Sequence, residues 1–153
     1  MQGAAQAGQY GVNMIGILII SHGGLGEALA DGALHILGHR PDNLAVLGVE
    51  KHEDPDAKLA QARDIIARID GGQGVLILTD MYGGTPSNVA SRLVEPGRIE
   101  AVAGANLPML VRALSYSGQA LDVVVGKAVT GGLEGVLYII PGEGNVKTTN
   151  RDH

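Results

Sequence analysis

The chain has 153 residues, the size of a single domain with a core of useful volume. Hydrophobic residues make up 45% and charged residues 18%, which points to strands buried on both faces, as in parallel sheets covered by helices. A net charge of −5 without Lys/Arg clusters argues against nucleic-acid or anionic-membrane binding, and the absence of cysteine excludes disulfide frameworks and cysteine metal sites.

Residues 1–13 carry no charge and no amphipathic period, and read as an expression remnant or a flexible extension. The longest apolar run, Met14–Ile20, is far short of the roughly 20 residues that span a bilayer, and no basic segment precedes it. No direct membrane insertion is expected, and the location expected is cytoplasmic. Ile15–Ser21 reads as the first strand, and glycines lead from it into a helix over Leu25–Leu37. Leu44–Val49 is strand-like. Asp54–Ile69 has helical spacing at Leu59, Ala62, Ile66 and Ile69, with Asp54 as N-cap and Pro55 at the first helical position. Val75–Thr79 is a buried strand. Pro86–Leu93 is a short helix, Ile99–Ala103 a fourth strand, and Pro108–Tyr116 a helix. Leu121–Val129 has no decisive period and is assigned helix. Val136–Ile140 is expected to be a last strand, and residues 143–153 a polar tail. With Phe and Trp absent, Leu, Ile, Val and Ala must build the core.

This strand–helix alternation predicts a three-layer α/β fold: a mainly parallel central sheet with helices on both faces. Ligands in such folds bind beyond the carboxyl ends of the strands, where the strand order reverses. Two loops carry chemistry there. Ser21-His22-Gly23-Gly24-Leu25-Gly26 follows the first strand, and a helix N-terminus nearby favours anions. Asp80-Met81-Tyr82-Gly83-Gly84-Thr85-Pro86 follows the third, with Thr85 as the expected N-cap. If strands one and three are neighbours, Asp80 can accept a hydrogen bond from one ring nitrogen of His22. That fixes the tautomer and leaves the other nitrogen free as a nucleophile. Amides of Gly23, Gly24, Gly83 and Gly84 and the Thr85 hydroxyl would then hold phosphoryl oxygens. Transfer between two histidines needs no bound metal and no other cofactor.

The segments MIGILIISHGGLGEAL and GVLILTDMYGGTPSNVASRL, with GANLPMLVRAL and GLEGVLYI, resemble the mannose-family enzyme IIA domain of the bacterial phosphoenolpyruvate-dependent sugar phosphotransferase system. The likeness covers roughly residues 14–140, within a domain read as 14–142. It implies that His22 is the phosphorylated histidine and Asp80 its hydrogen-bonded partner, with Thr85 near the phosphate. It implies the phosphocarrier protein HPr as donor and an enzyme IIB component as acceptor. It also implies a homodimer in which the last strand, about Val136–Ile140, crosses to the other subunit. Tyr82 stands where some members carry Trp. Some members continue into a IIB domain, so IIB is expected here as a separate chain, or the carrier is a regulatory one.

Three other readings compete. A dinucleotide fingerprint could start at Gly24-Leu25-Gly26 with Glu50 ending strand two, but its third glycine falls on Leu29. The phosphotransfer subunit of a dihydroxyacetone kinase resembles this pattern and also has a histidine after strand one, although DMYGGTPSN favours the mannose class. A pure interaction module would leave His22 unreactive. His35 and His39, at i and i+4, lack an evident third metal ligand, and His52 sits among charged neighbours in a loop.

Overall fold

The computed structural model describes residues 14–142. The readings of residues 1–13 as an extension and of 143–153 as a polar tail lie outside the described residues.

Four strands are present there: β1 (Gly16–His22), β2 (Leu44–Val49), β3 (Val75–Thr79) and β4 (Ile99–Ala103). Five helices connect and follow them: α1 (Leu25–Leu37), α2 (Pro55–Ile69), α3 (Thr85–Leu93), α4 (Leu107–Ser115) and α5 (Leu121–Glu134). The strands form one parallel sheet in the order β2-β1-β3-β4. The chain builds outward from β1 to β2, then returns to add β3 on the other side. Strand order therefore reverses between β1 and β3, where an open α/β sheet has its natural binding crevice.

The central strands are apolar along their length because both faces are covered. Ile17, Ile19, Leu76 and Leu78 pack with Ala33, Leu110 and Val124 on the face that α1, α4 and α5 cover. Leu18, Ile20, Val75 and Ile77 pack with Ala62, Ile66 and Val89 on the opposite face, under α2 and α3. Ile17 to Ile20 are completely buried, and each such side chain contributes about 2–3 kcal/mol of hydrophobic stabilisation. Polar groups placed in this apolar interior are bonded. Asn43 donates through Nδ2 to the Ile15 carbonyl, and the Ser117 hydroxyl donates to the Leu114 carbonyl.

The helix boundaries follow local chemistry. Asp54 caps α2 by accepting from the Asp56 amide at 3.1 Å, as expected for an Asp-Pro start. Asn106 caps α4 in the same way through the Met109 amide at 2.9 Å, and its Nδ2 reaches the Gly132 carbonyl on α5. Gly38, at φ 85°, ends α1 with its amide on the Leu34 carbonyl. His39 therefore falls beyond the helix, so His35 and His39 do not form an i,i+4 pair on one face. Among the described residues no group of three or more His, Asp or Glu side chains is arranged to hold a metal.

Two expectations are corrected. Thr85 is not the N-cap of α3. Gly84, at φ 90° and ψ 176°, occupies that position, and no side chain caps the helix. The tight reversal before α3 needs a backbone conformation open to glycine, and this displaces Thr85 into the first turn. Val136–Ile140 is not a strand in this chain. It leaves α5 as irregular backbone with Val136 75%, Tyr138 89% and Ile139 85% exposed. A strand needs a ladder partner, and this segment has none among the described residues.

Candidate functional site

β1 and β3 run side by side with Ile20 paired to Thr79, so His22 and Asp80 leave the sheet at the same edge. β2 ends there too, with Val49 opposite His22. Asp80 comes off a fully buried strand, and its side chain is 7% exposed, whereas that of His22 is 53% exposed. One carboxylate oxygen, Asp80 Oδ2, takes both the His22 backbone N–H at 3.0 Å and His22 Nδ1 at 2.9 Å. The other oxygen, Oδ1, is buried without a hydrogen-bond partner among the described residues. Burial opposes ionisation of Asp80, but the hydrogen bonds from His22 outweigh it and hold the carboxyl below its ordinary 3.8. An ionised Asp80 only accepts, so Nδ1 is the protonated ring nitrogen and Nε2 carries the lone pair.

Nε2 faces the start of α3. A Cβ added to Gly84 would touch Nε2 at 3.4 Å, and the φ of 90° that brings the backbone here favours glycine. His22, Gly23, Gly84 and Thr85 share a cavity of about 470 Å³ with Glu50 and Lys51. Pro86 has no N–H, and the Asn88 amide begins the helical bonds by donating to the Gly84 carbonyl. The unpaired amides at this terminus give a partial positive charge opposite the free ring nitrogen.

The first glycine loop contributes differently from what its sequence suggests. The Gly23 amide is committed to the Val49 carbonyl at 2.9 Å. The Gly26 amide is taken by the buried Ser21 hydroxyl at 2.8 Å. Gly24 is the N-cap of α1 and does not line the cavity; neither does Gly83, though both lie in the same two loops. A Cβ on Gly26 would stand 2.8 Å from Ser21 Oγ and Val46 Cγ1, so this glycine serves helix–strand packing. That geometry leaves the Gly24-Leu25-Gly26 turn no free Gly26 amide for a pyrophosphate. His52 is exposed in the loop after β2.

Glu50 and Lys51 line the cavity and were not singled out as phosphate-site residues from the sequence. Their place directly after β2, the neighbour of β1, is the signal that could have found them.

The family model described as PTS system fructose IIA component, EIIA-man, matches residues 16–128. The chain belongs to this family. This EIIA chain is 35% identical over 125 residues to the mannose-specific EIIAB component of Escherichia coli (strain K12), a match covering 80% of this chain and 38% of that protein. It thus spans well under half the length of that relative. It is 33% identical over 103 residues to the fructose-specific EIIA component of Bacillus subtilis (strain 168), covering 67% of this chain and 70% of the relative. A solved EIIA component from Streptococcus agalactiae superposes with a TM-score of 0.73 at 26% identity, covering 82% of this chain and 97% of the other. A mannose/sorbose IIA subunit from Enterococcus faecalis shares the fold with a TM-score of 0.74 at 24% identity, over 83% and 96% of the two chains. The EIIA chain is thus a component of the mannose/fructose type of phosphotransferase system. Among the described residues no helix is long and apolar enough to cross a membrane.

Proposed function

We propose that His22 carries the phosphoryl group of this EIIA chain on Nε2, accepting it from phosphorylated HPr and passing it to an enzyme IIB component in the cytoplasm. The observation that carries this reading is the Nδ1 contact to Asp80 Oδ2 at 2.9 Å, with Nε2 directed at the Gly84 backbone.

In the accepting step the Nε2 lone pair attacks phosphorus. The new N–P bond forms as the donor's N–P bond breaks, and that electron pair returns to the donor ring. Positive charge grows on the His22 ring, and Asp80 stabilises it through the proton that stays on Nδ1. The unpaired Oδ1 leaves the His22 contacts as the main compensation for the buried charge, which strengthens this coupling. The transferred oxygens face Gly84, Thr85 and the N-terminus of α3. Gly23, Gly24 and Gly83 shape the two loops, and of these Gly23 alone lines the cavity.

A protein donor and acceptor suit the surroundings. Leu25, at the start of α1, and Met81 and Tyr82, in the loop after β3, are 47%, 65% and 87% exposed. Such an apolar rim fits another protein better than a small sugar. The exposed Val136–Ile139 segment and the outer edge of β4 together suit a homodimer in which that segment pairs with a second copy. Sedimentation at increasing concentration should then show a dimer, and removal of residues 136–142 should give monomers.

The decisive measurement is transfer of label from phosphoenolpyruvate through enzyme I and HPr. Wild type should take up one phosphoryl group that is labile in acid, and His22→Ala should take up none. Equal labelling of the two would overturn the assignment.

A further inference from the structure

We infer that Glu50 tunes how readily His22 gives up its phosphoryl group, by placing a carboxylate in the wall of the cavity which that group enters. This rests on the reading of His22 as the phosphoryl carrier.

Glu50 lies directly after β2, whose Val49 is paired with His22, so it leaves the sheet at the reacting edge. It lines the same cavity as His22, Gly84 and Thr85. A Cβ built on Gly23 would stand 3.8 Å from Glu50 Oε2 and 4.0 Å from Oε1, which puts the carboxylate beside the residue that follows His22. No ion pair among the described residues engages it.

The loop that carries Glu50 is pinned. Its own amide donates to Glu53 Oε1 at 2.8 Å, and the Glu53 amide donates back to the Glu50 carbonyl at 3.1 Å. Glu53 Oε2 pairs at 2.9 Å with the ammonium of Lys58, a buried lysine on α2. Asp54 then caps the same helix. On the other side the Val49 carbonyl is tied to the Gly23 amide. The carboxylate is therefore not on a loop free to swing away from an arriving anion.

A pocket built only to hold phosphate would line this wall with cations. Here one cation, Lys51, stands next to one carboxylate. A phosphoryl group on Nε2 adds negative charge to this cavity, and Glu50 raises the free energy of that form by like-charge repulsion. A carrier must release what it accepts. Glu50 keeps the phosphorylated state from becoming a trap, while Lys51 offsets part of the repulsion.

The test mixes purified phospho-HPr with the full chain and reads the phosphorylated fraction of each protein at equilibrium by phosphorus NMR. Glu50→Gln should raise the equilibrium constant for transfer onto His22 by roughly fivefold to tenfold, and the gain should shrink at high salt. Lys51→Gln should lower the constant. Damage to the fold would lower both, so opposite signs are the signature. An equilibrium constant that is unchanged or lower in Glu50→Gln, with wild type still labelled at His22, overturns the role of Glu50 and leaves His22 standing. If His22→Ala takes label as well as wild type, both readings fall.

Discussion

Two cavities among the described residues lie at opposite ends of the sheet, and the larger of them is not the better candidate for chemistry. The larger, about 670 Å³, lies where β4 begins and α2 and α3 end, and is lined by Arg63, Arg92 and Arg98 with Asp70 and Glu95. Among the described residues, all of these charges but Arg63 are engaged in ion pairs. Arg98 holds Asp70 at 2.7 Å and Glu95 at 3.2 Å, and Arg92 holds Asp56 at 3.0 Å. The smaller, about 470 Å³, contains His22 with one ring nitrogen committed to Asp80 and the other free. Volume and charge count favour the first, whereas unspent bonding capacity favours the second. Reactivity follows capacity that the fold leaves unspent, because a satisfied ion pair has no remaining interaction to offer a transition state.

The sharpest way to break this contrast is Asp80→Asn. The amide keeps the shape and loses the charge that stabilises the developing imidazolium. Phosphoryl transfer from HPr to His22 should fall roughly a hundredfold to ten-thousandfold, measured as the initial rate of labelling. A rate near wild type would show that Asp80 merely supports the loop.

Gly84→Ala comes next. Its φ of 90° disfavours any side chain, and the new methyl would stand 3.4 Å from Nε2. Stability should drop by about 1–3 kcal/mol and transfer by about tenfold. Gly83→Ala is the control. It has the same φ of 90° but opens onto free space, so it should lose similar stability and keep most of the rate. Equal loss of rate in both would assign the effect to backbone strain rather than to crowding at Nε2.

The parts of the molecule that could be read in advance share a physical reason. Ile15–Ile20 and Val75–Leu78 are uniformly apolar because helices cover both faces, and their ends place His22 and Asp80 together. Only two parallel strands adjacent in the sheet make that meeting; the alternation of elements implies a parallel sheet but leaves the adjacency of strands one and three as a condition, which the strand order meets. Leu121–Glu134 is harder, since the Val123-Val124-Val125 run favours strands and Gly126 weakens a helix; packing against α4 decides it. The amides of Gly23 and Gly26 could not be read at all. Whether an N–H is free depends on Val49 and Ser21, which meet them only in three dimensions. Glu50 is hidden for another reason. Within Glu50-Lys51-His52-Glu53-Asp54 it looks like any solvated loop, and only the β1–β2 pairing gives it an address. Val136–Ile140 has the composition of a strand, and its exposure here shows that composition alone cannot supply the partner edge.

A smaller effect concerns acid stability. The folded-state carboxyl of Asp80 is held below its unfolded value: burial acts against the charge, and the His22 donors more than compensate. Its contribution is therefore present above the unfolded value and lost as pH falls through the folded one. Wild type and Asp80→Asn should differ most in unfolding midpoint near neutral pH, and the gap should close as pH drops below about 3.8. Glu53 and Glu95 are also held low, chiefly by their hydrogen bonds to Lys58 and Arg98, but they titrate in both proteins and cancel in the difference. A gap that widens in acid would mean that desolvation dominates and that the ring contact is weaker than its 2.9 Å suggests.

The smallest effect is expected from the larger cavity, and it closes the contrast. Arg98→Met removes a guanidinium that bridges Asp70 and Glu95 on the surface. Asp70 keeps its Oδ1 bonds to the Gly72 and Gly74 amides, at 2.9 and 3.2 Å, so the turn into β3 stays anchored. Transfer to His22 should remain within about twofold of wild type, because an exposed ion pair contributes little and this one lies at the opposite end of the sheet from the reacting edge. β3 is the direct route by which a disturbance at Asp70 could travel, since it begins just after that turn and ends at Asp80. A drop in rate comparable to that of Asp80→Asn would show that the strand transmits strain along its length. The two ends of the sheet would then be one device, and the division between a spent cavity and a reactive one would have to be given up.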